Sequence, residues 1–220
     1  MRKYDSKKEE ILQIAKELFL SQGYEKTSIR QIASKAGISV GLAAYHFQNK
    51  REMAAEILRR IFHRLAGYTK MYVNRHENPL LYSAVLISLN YGVMSQEEGI
   101  AFYRDVLRED ILLDVILETG VETYLCIRDK YCPDMADEEA EKMGWYGNYV
   151  SVSMERTLVL YGEEKTLIPG TIPEFILNAS MGMWHFEKDR EEIAKACTEG
   201  QELAEKIMRE HPNILSPLCK

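Results

Sequence analysis

Two short apolar patterns meet at Ala36-Gly37-Ile38-Ser39, and this junction restricts the possible folds more than any other stretch of the chain. Before it, Ser28 and Gln31 form a capping-box pair, and Ile29, Ile32, Ala33 and Ala36 recur at helical spacing. The pattern predicts a helix of about two turns that ends at Gly37. After the junction, Ser39 offers a cap for a third, very short helix that reaches Phe47. Glycine lets the chain reverse with a positive φ, and Ile38 plugs the angle between the helices. That is the arrangement of a helix-turn-helix, whose second helix can enter a major groove. Helix pairs with an Ala-Gly turn also occur in bundles that never touch DNA, so on spacing alone both readings stand.

The flanking sequence is helical throughout. Ile11, Ile14, Ala15, Leu18 and Phe19 form one apolar stripe, opened by a capping box at Ser6 with Glu9 and closed at Gly23. Asn49 with Glu52 caps a fourth helix that carries Ile57, Leu58, Ile61, Phe62 and Leu65. Further helices are expected over 79–94, 97–117, 121–131, 137–161, 173–186 and 189–210, with a loop over 162–170. No strand-like alternation bounded by turns occurs. The expected fold is all-α, with a three-helix head over residues 1–50 and a larger helical body over 51–220.

A composition of 46% hydrophobic and 28% charged residues over 220 positions argues against intrinsic disorder. The longest weakly polar stretch, 80–93, is broken by Ser83, Ser88 and Asn90 and is shorter than the roughly 18–20 apolar residues a bilayer span needs. The start, Met1-Arg2-Lys3-Tyr4-Asp5, is charged and lacks an apolar signal region, so a cytoplasmic protein with no membrane partner is expected. Cys126, Cys132, Cys197 and Cys219 read as reduced thiols. They lack the spacing of a zinc site, and no metal or cofactor is expected. Charge is uneven: through Arg64 there are 13 basic and 7 acidic residues, +6, and from Leu65 onward 15 and 27, −12, which sum to −6. A basic head on an acidic body suits a chain of which only the head meets a polyanion.

The run Gly23-Tyr24-Glu25-Lys26-Thr27-Ser28-Ile29-Arg30-Gln31-Ile32-Ala33, the turn through Val40-Gly41, and Tyr45-His46-Phe47-Gln48-Asn49-Lys50-Arg51-Glu52 resemble the TetR family of bacterial transcriptional regulators. The resemblance covers about residues 6–60. It implies an operator-binding head and a helical body that binds a small inducer and dimerises. Under it, Thr27 and Ser28 sit where the second helix meets phosphate. Ser39, Val40, Gly41 and Leu42 begin the recognition helix, where base edges are read. Tyr45 and His46 match an aromatic pair at its end, and Lys50 a phosphate-binding lysine. Simple capping by Thr27 or Ser28, and plain packing of Tyr45 and His46, remain rival readings. Phe47 is expected in the core. Leu42-Ala43-Ala44 departs from the usual Thr-Leu-Tyr, so Ala44 lacks a phenol, and Leu42 favours a thymine methyl over a hydrogen-bonded base.

Ten of the 13 tyrosines lie in the body, where an aromatic interior can wall a pocket or simply fill a core. By the resemblance, in helix order, Tyr91, Phe102, Tyr103, Tyr124, Trp145 and Tyr149 are the expected lining of an effector pocket. The last two helices, with Ile172, Phe175, Ile176, Ala179 and Met183 and then Ile193, Ala196, Cys197, Leu203, Ala204 and Ile207, correspond to the family's homodimer bundle, an internal core being the rival. The implied partners are double-stranded DNA with a palindromic operator, a small-molecule effector and a second copy of the chain. An enzyme is the alternative, with Asp105 and Glu109 or Asp114 and Glu118 as an i,i+4 acid pair, though a solvated face explains them as well. No Glu-x-x-His, GxSxG or P-loop supports catalysis. A protein-binding adaptor that tolerates loss of His46 and Lys50 is the third reading.

Overall fold

The computed structural model describes residues 3–161, 172–184 and 190–215. The loop expected over 162–170, and Cys219, lie outside the described residues. The fold is all-α. Among the described residues it comprises α1 (Lys3–Gln22), α2 (Ile29–Lys35), α3 (Val40–His46), α4 (Lys50–Tyr72), α5 (Pro79–Met94), α6 (Ile100–Arg108), α7 (Ile111–Thr119), α8 (Val121–Tyr131), α9 (Asp137–Tyr161), α10 (Ile172–Met181) and α11 (Arg190–Glu210). Single turns of 3-10 helix follow α10 and α11. No described helix is long and apolar enough to cross a membrane.

Local chemistry sets most boundaries. Pro79 opens α5 behind Asn78, whose side chain accepts from the Leu81 N–H, and Asn49 accepts from Glu52 to open α4. Gly23 ends α1 at φ 92°. Two expectations change. The box at Ser6 does not form, because α1 already begins at Lys3 and Ser6 lies inside the helix. The single helix expected over 97–117 is two, broken at Asp110, which takes a left-handed φ of 55°. Aspartate tolerates that region better than most residues, and Arg156 donates to its carboxylate at 3.2 Å. The break starts α7 afresh, and Asp114 and Glu118 on it pair with arginines of α4.

One core runs from head to body, uniting Ile11, Ala15, Phe19 and Phe47 with Met53, Leu58 and Leu65 of α4 and with Leu89, Phe102 and Ile111 beyond. α4 is therefore shared between the two expected domains. A smaller core gathers Leu80, Tyr124, Ile127, Leu177, Trp184 and Ile193 from the far end of the body. α11 lies along α5 so closely that a Cβ on Gly200 would fall 2.5 Å from that of Ala84. Ile193, Ala196, Cys197, Ala204 and Ile207 are all buried within the chain itself.

Candidate nucleic-acid interface and effector cavity

The turn between α2 and α3 is built by its own residues. The Ser28 hydroxyl accepts from the Gln31 N–H at 3.3 Å while Gln31 Oε1 accepts from the Ser28 N–H at 2.8 Å, closing the capping box. Gly37 takes φ 63°, a conformation that a Cβ would strain. The Ser39 hydroxyl then accepts from the Leu42 N–H at 3.1 Å and starts α3. Ala43 and Phe47 turn inward, leaving Ser39, Val40, Gly41, Leu42, Ala44 and Tyr45 on a face the chain does not cover. Tyr45 is 71% exposed and Val40 46%, high values for large apolar side chains. A Cβ on Gly41 would meet only the Ser39 hydroxyl, at 3.9 Å, so nothing in the fold requires glycine there.

The other expected DNA-binding residues are placed differently. Thr27 is buried: its hydroxyl donates to the Gly23 carbonyl at 2.8 Å, and its N–H donates to the Tyr24 carbonyl. The exposed member of that pair is Ser28, the helix cap. His46 is 8% exposed, its ring edge-on to Tyr45 with centroids 5.6 Å apart. Lys50 points its ammonium at the Tyr24 carbonyl, 2.9 Å away, and lies 4.1 Å from the centre of the Tyr24 ring, so it fastens α4 to the end of the first turn. Lys26 and Arg30 are basic and exposed beside these elements.

Two ties join the head to the body. On one side the Tyr24 N–H donates to Asp105 of α6 at 3.0 Å, and the Phe19 ring stacks on Phe102. On the other, Arg51 and Arg59 of α4 pair with Asp114 and Glu118 of α7, the second pair at 2.6 Å. The Arg59 guanidinium holds the Glu118 carboxyl below its usual range. Asp105, Asp114 and Glu118 are thus engaged at the joint, and the Glu109 carbonyl accepts from Arg51. Of the carboxylates that might have formed an acid pair, those of Asp105, Asp114 and Glu118 act as structural fasteners. Part of the head's positive charge is neutralised there, and Arg60 pairs with Glu9 and Glu56 in the same way.

A cavity of about 120 Å³ lies in the body between α4, α5, α7, α8, α9 and α10. Of the six aromatic residues expected to line it, only Tyr124 does. Phe102 stacks on Phe19 in the joint, and Tyr91 is half-buried outside the wall. Trp145 and Tyr149 stand on the outer surface of α9 at 45% and 48% exposure. Tyr103 is fully buried and donates its hydroxyl to Glu155, which does face the cavity. Burial raises the Tyr124 hydroxyl to about 12, and that hydroxyl donates to Asn148 Oδ1. Asn90, Asn148, Ser151, Glu155 and Ser180 give the wall a polar side that the aromatic reading missed.

Residues 11–57 match the family model described as bacterial regulatory proteins, tetR family. This resemblance is thus confined to the head, α1 to the start of α4. A 75-residue stretch is 35% identical to the HTH-type transcriptional repressor KstR2 of Mycolicibacterium smegmatis, covering 34% of this chain and 37% of that protein. The KstR2 of Rhodococcus jostii is 30% identical over 45% of this chain and 49% of its own length. The probable HTH-type transcriptional regulator YttP of Bacillus subtilis is 28% identical over 64% of this chain and 68% of its own. The chain therefore spans less than half the length of the KstR2 repressors it matches. The crystal structure of a gamma-butyrolactone receptor (ArpA like protein) is similar at 18% identity over 93% of this chain and 100% of that one, with a TM-score of 0.45.

Behind this head, the middle of α9 reverses the usual amphipathic pattern. Its buried side carries Gly144, Gly147, Asn148, Ser151 and Glu155, while Trp145, Tyr146, Tyr149 and Val150 face out. Small residues at 144, 147 and 151, with polar ones at 148 and 155, are the sequence signal that this side meets a close neighbour and a cavity. Of the last two helices, α11 packs its apolar stripe against α5, while large exposed apolar side chains lie on α9 and at Phe175 of α10, which is 42% exposed.

Proposed function

We propose that the chain is a homodimeric DNA-binding repressor of the cytoplasm, released from a palindromic operator when a small molecule enters the body cavity. The observation that carries this reading is the uncovered α3 face, Ser39 to Tyr45, presented by a turn whose caps and positive-φ glycine are all in place. Ser39, Gly41 and Leu42 read base edges there, Tyr45 and Ser28 contact the backbone, and Thr27, His46 and Lys50 hold the reading surface from behind. One such face makes too few contacts for a specific site. The outward Tyr146, Tyr149, Val150 and Phe175 give a second copy an apolar seat through α9 and α10, replacing the α10–α11 bundle. Two heads roughly 34–36 Å apart would then share one palindrome.

Release follows from where the cavity touches the joint. Ile116 and Thr119 of α7 line the cavity, and α7 holds Arg51 and Arg59. Glu155 lines it too and accepts from Tyr103 of α6, the helix whose Asp105 holds the head at Tyr24. A ligand that favours another placement of α6 or α7 shifts the population of head spacings. The test is selection of duplexes from a random pool by the purified protein. A palindrome is expected, with Leu42→Ala and Tyr45→Ala each weakening binding about tenfold. Failure to enrich any duplex, or variants that bind as wild type, would remove this reading.

A further inference from the structure

A buried carboxyl without a cation of its own is the feature of the cavity that the fold does not explain. Glu155 is 3% exposed and lines the cavity, and no lysine, arginine or histidine among the described residues pairs with it. Burial outweighs the Tyr103 hydrogen bond and pushes the carboxyl up to about 7, so near neutrality it is poised to ionise. Two further wall atoms lack hydrogen-bond partners, Asn90 Oδ1 and Asn148 Nδ2, on side chains 5% and 3% exposed. Tyr124 occupies the other side of the Asn148 amide, at 2.5 Å, which leaves its Nδ2 for an acceptor. Native interiors leave few such groups unmet, because a buried polar atom that has given up water and gained no partner is destabilising. Phe62, Leu86 and Ile116 supply the apolar part of the wall. At about 120 Å³ the cavity is smaller than a typical drug-sized pocket and close to one that holds benzene.

We propose that this cavity takes a compact organic ammonium, its apolar body against Phe62, Leu86 and Ile116 and its N–H groups donated to Glu155 and Asn90. A hydroxyl or carbonyl on the same molecule gains the Asn148 amide as donor. The proposal rests on the reading of the chain as an effector-responsive regulator, which it makes chemically specific. A carboxylate or phosphate ligand would face the Glu155 charge with no lysine or arginine in the wall to offset it. A neutral alcohol satisfies one amide and leaves the carboxyl unpaired.

Cyclopentylamine, cyclopentanol and cyclopentanecarboxylate share an apolar body and carry positive, zero and negative charge at pH 8. Calorimetry on the full chain is expected to show the amine binding about tenfold tighter than the alcohol and the carboxylate weakest of the three. Glu155→Gln keeps the shape and is expected to lower the amine's affinity about tenfold while leaving the alcohol's unchanged. Asn90→Leu, expected to weaken the amine as well, serves as the second variant if circular dichroism shows Glu155→Gln unfolded. Equal affinities for the three probes, binding of none of them, or amine affinity unchanged in the variants would overturn the proposal. DNA affinity, read separately by fluorescence anisotropy, distinguishes the two readings. Amine binding that leaves DNA affinity intact removes the effector role and leaves the site, whereas release of DNA by the alcohol or the carboxylate alone removes the ammonium and leaves the effector role.

Discussion

At the scale of single residues, Gly41 and Glu155 show opposite relations between fold and function. Gly41 sits exposed in α3 with open space where a Cβ would go, so Gly41→Ala should stabilise the chain by about 0.5–1 kcal/mol through helix propensity. If the absent side chain serves a close groove approach, the same change should weaken DNA binding; thermal melts and anisotropy on one preparation check both signs. Glu155 is destabilising when ionised. Its folded-state pKa of about 7 lies above the ordinary 4.5, so the stability it gives is fully present below 4.5 and is lost as pH rises through 7. The loss amounts to roughly 3 kcal/mol. Glu155→Gln should therefore flatten the stability profile over that window and exceed wild type above it, as urea unfolding across pH would show. Gly41 stood out in the sequence through its place in the recognition helix, whereas Glu155 is one acidic residue among 34. Its burial depends on partners far away in the chain.

Among the elements, legibility follows the range of the interactions that set them. α2, α3 and the start of α4 were readable because Ser28, Gln31, Gly37, Ser39 and Asn49 act on neighbours within a few residues, and each cap forms as expected. The cavity and the exposed apolar face of α9 were not, because they depend on which side of α9 turns inward. Aromatic identity at Trp145 and Tyr149 suggested an interior, but the small residues at 144, 147 and 151 are what allow close packing, and they pull the opposite side of the helix inward. With the interface on α9, Tyr149→Asp should give a monomer in sedimentation equilibrium with its helical content unchanged. A dimer that survives Tyr149→Asp would place the two-fold axis elsewhere.

For the molecule as a whole, the proposed release requires that occupancy of the cavity be felt at the head through the joint between head and body. Asp105 holds the Tyr24 N–H, and the Arg51 and Arg59 pairs hold α7, so head and body are linked through the two helices that border or brace the cavity. Asp105→Ala should leave duplex binding within about threefold of wild type and reduce the effect of a ligand on it, because the tie carries coupling more than affinity. Anisotropy with and without ligand measures both. The charge asymmetry between head and body is partly absorbed by this joint, which leaves Lys26 and Arg30 among the exposed basic residues near α3. The most direct test of an outward α3 face used in duplicate on duplex DNA is the salt dependence of binding to a selected palindrome. Between 50 and 200 mM salt, a dimer making about six to ten phosphate contacts should lose roughly 10³–10⁵ in affinity, with a shallower slope for the Tyr149→Asp monomer. An affinity that does not change with salt would contradict contact between this surface and a phosphate backbone.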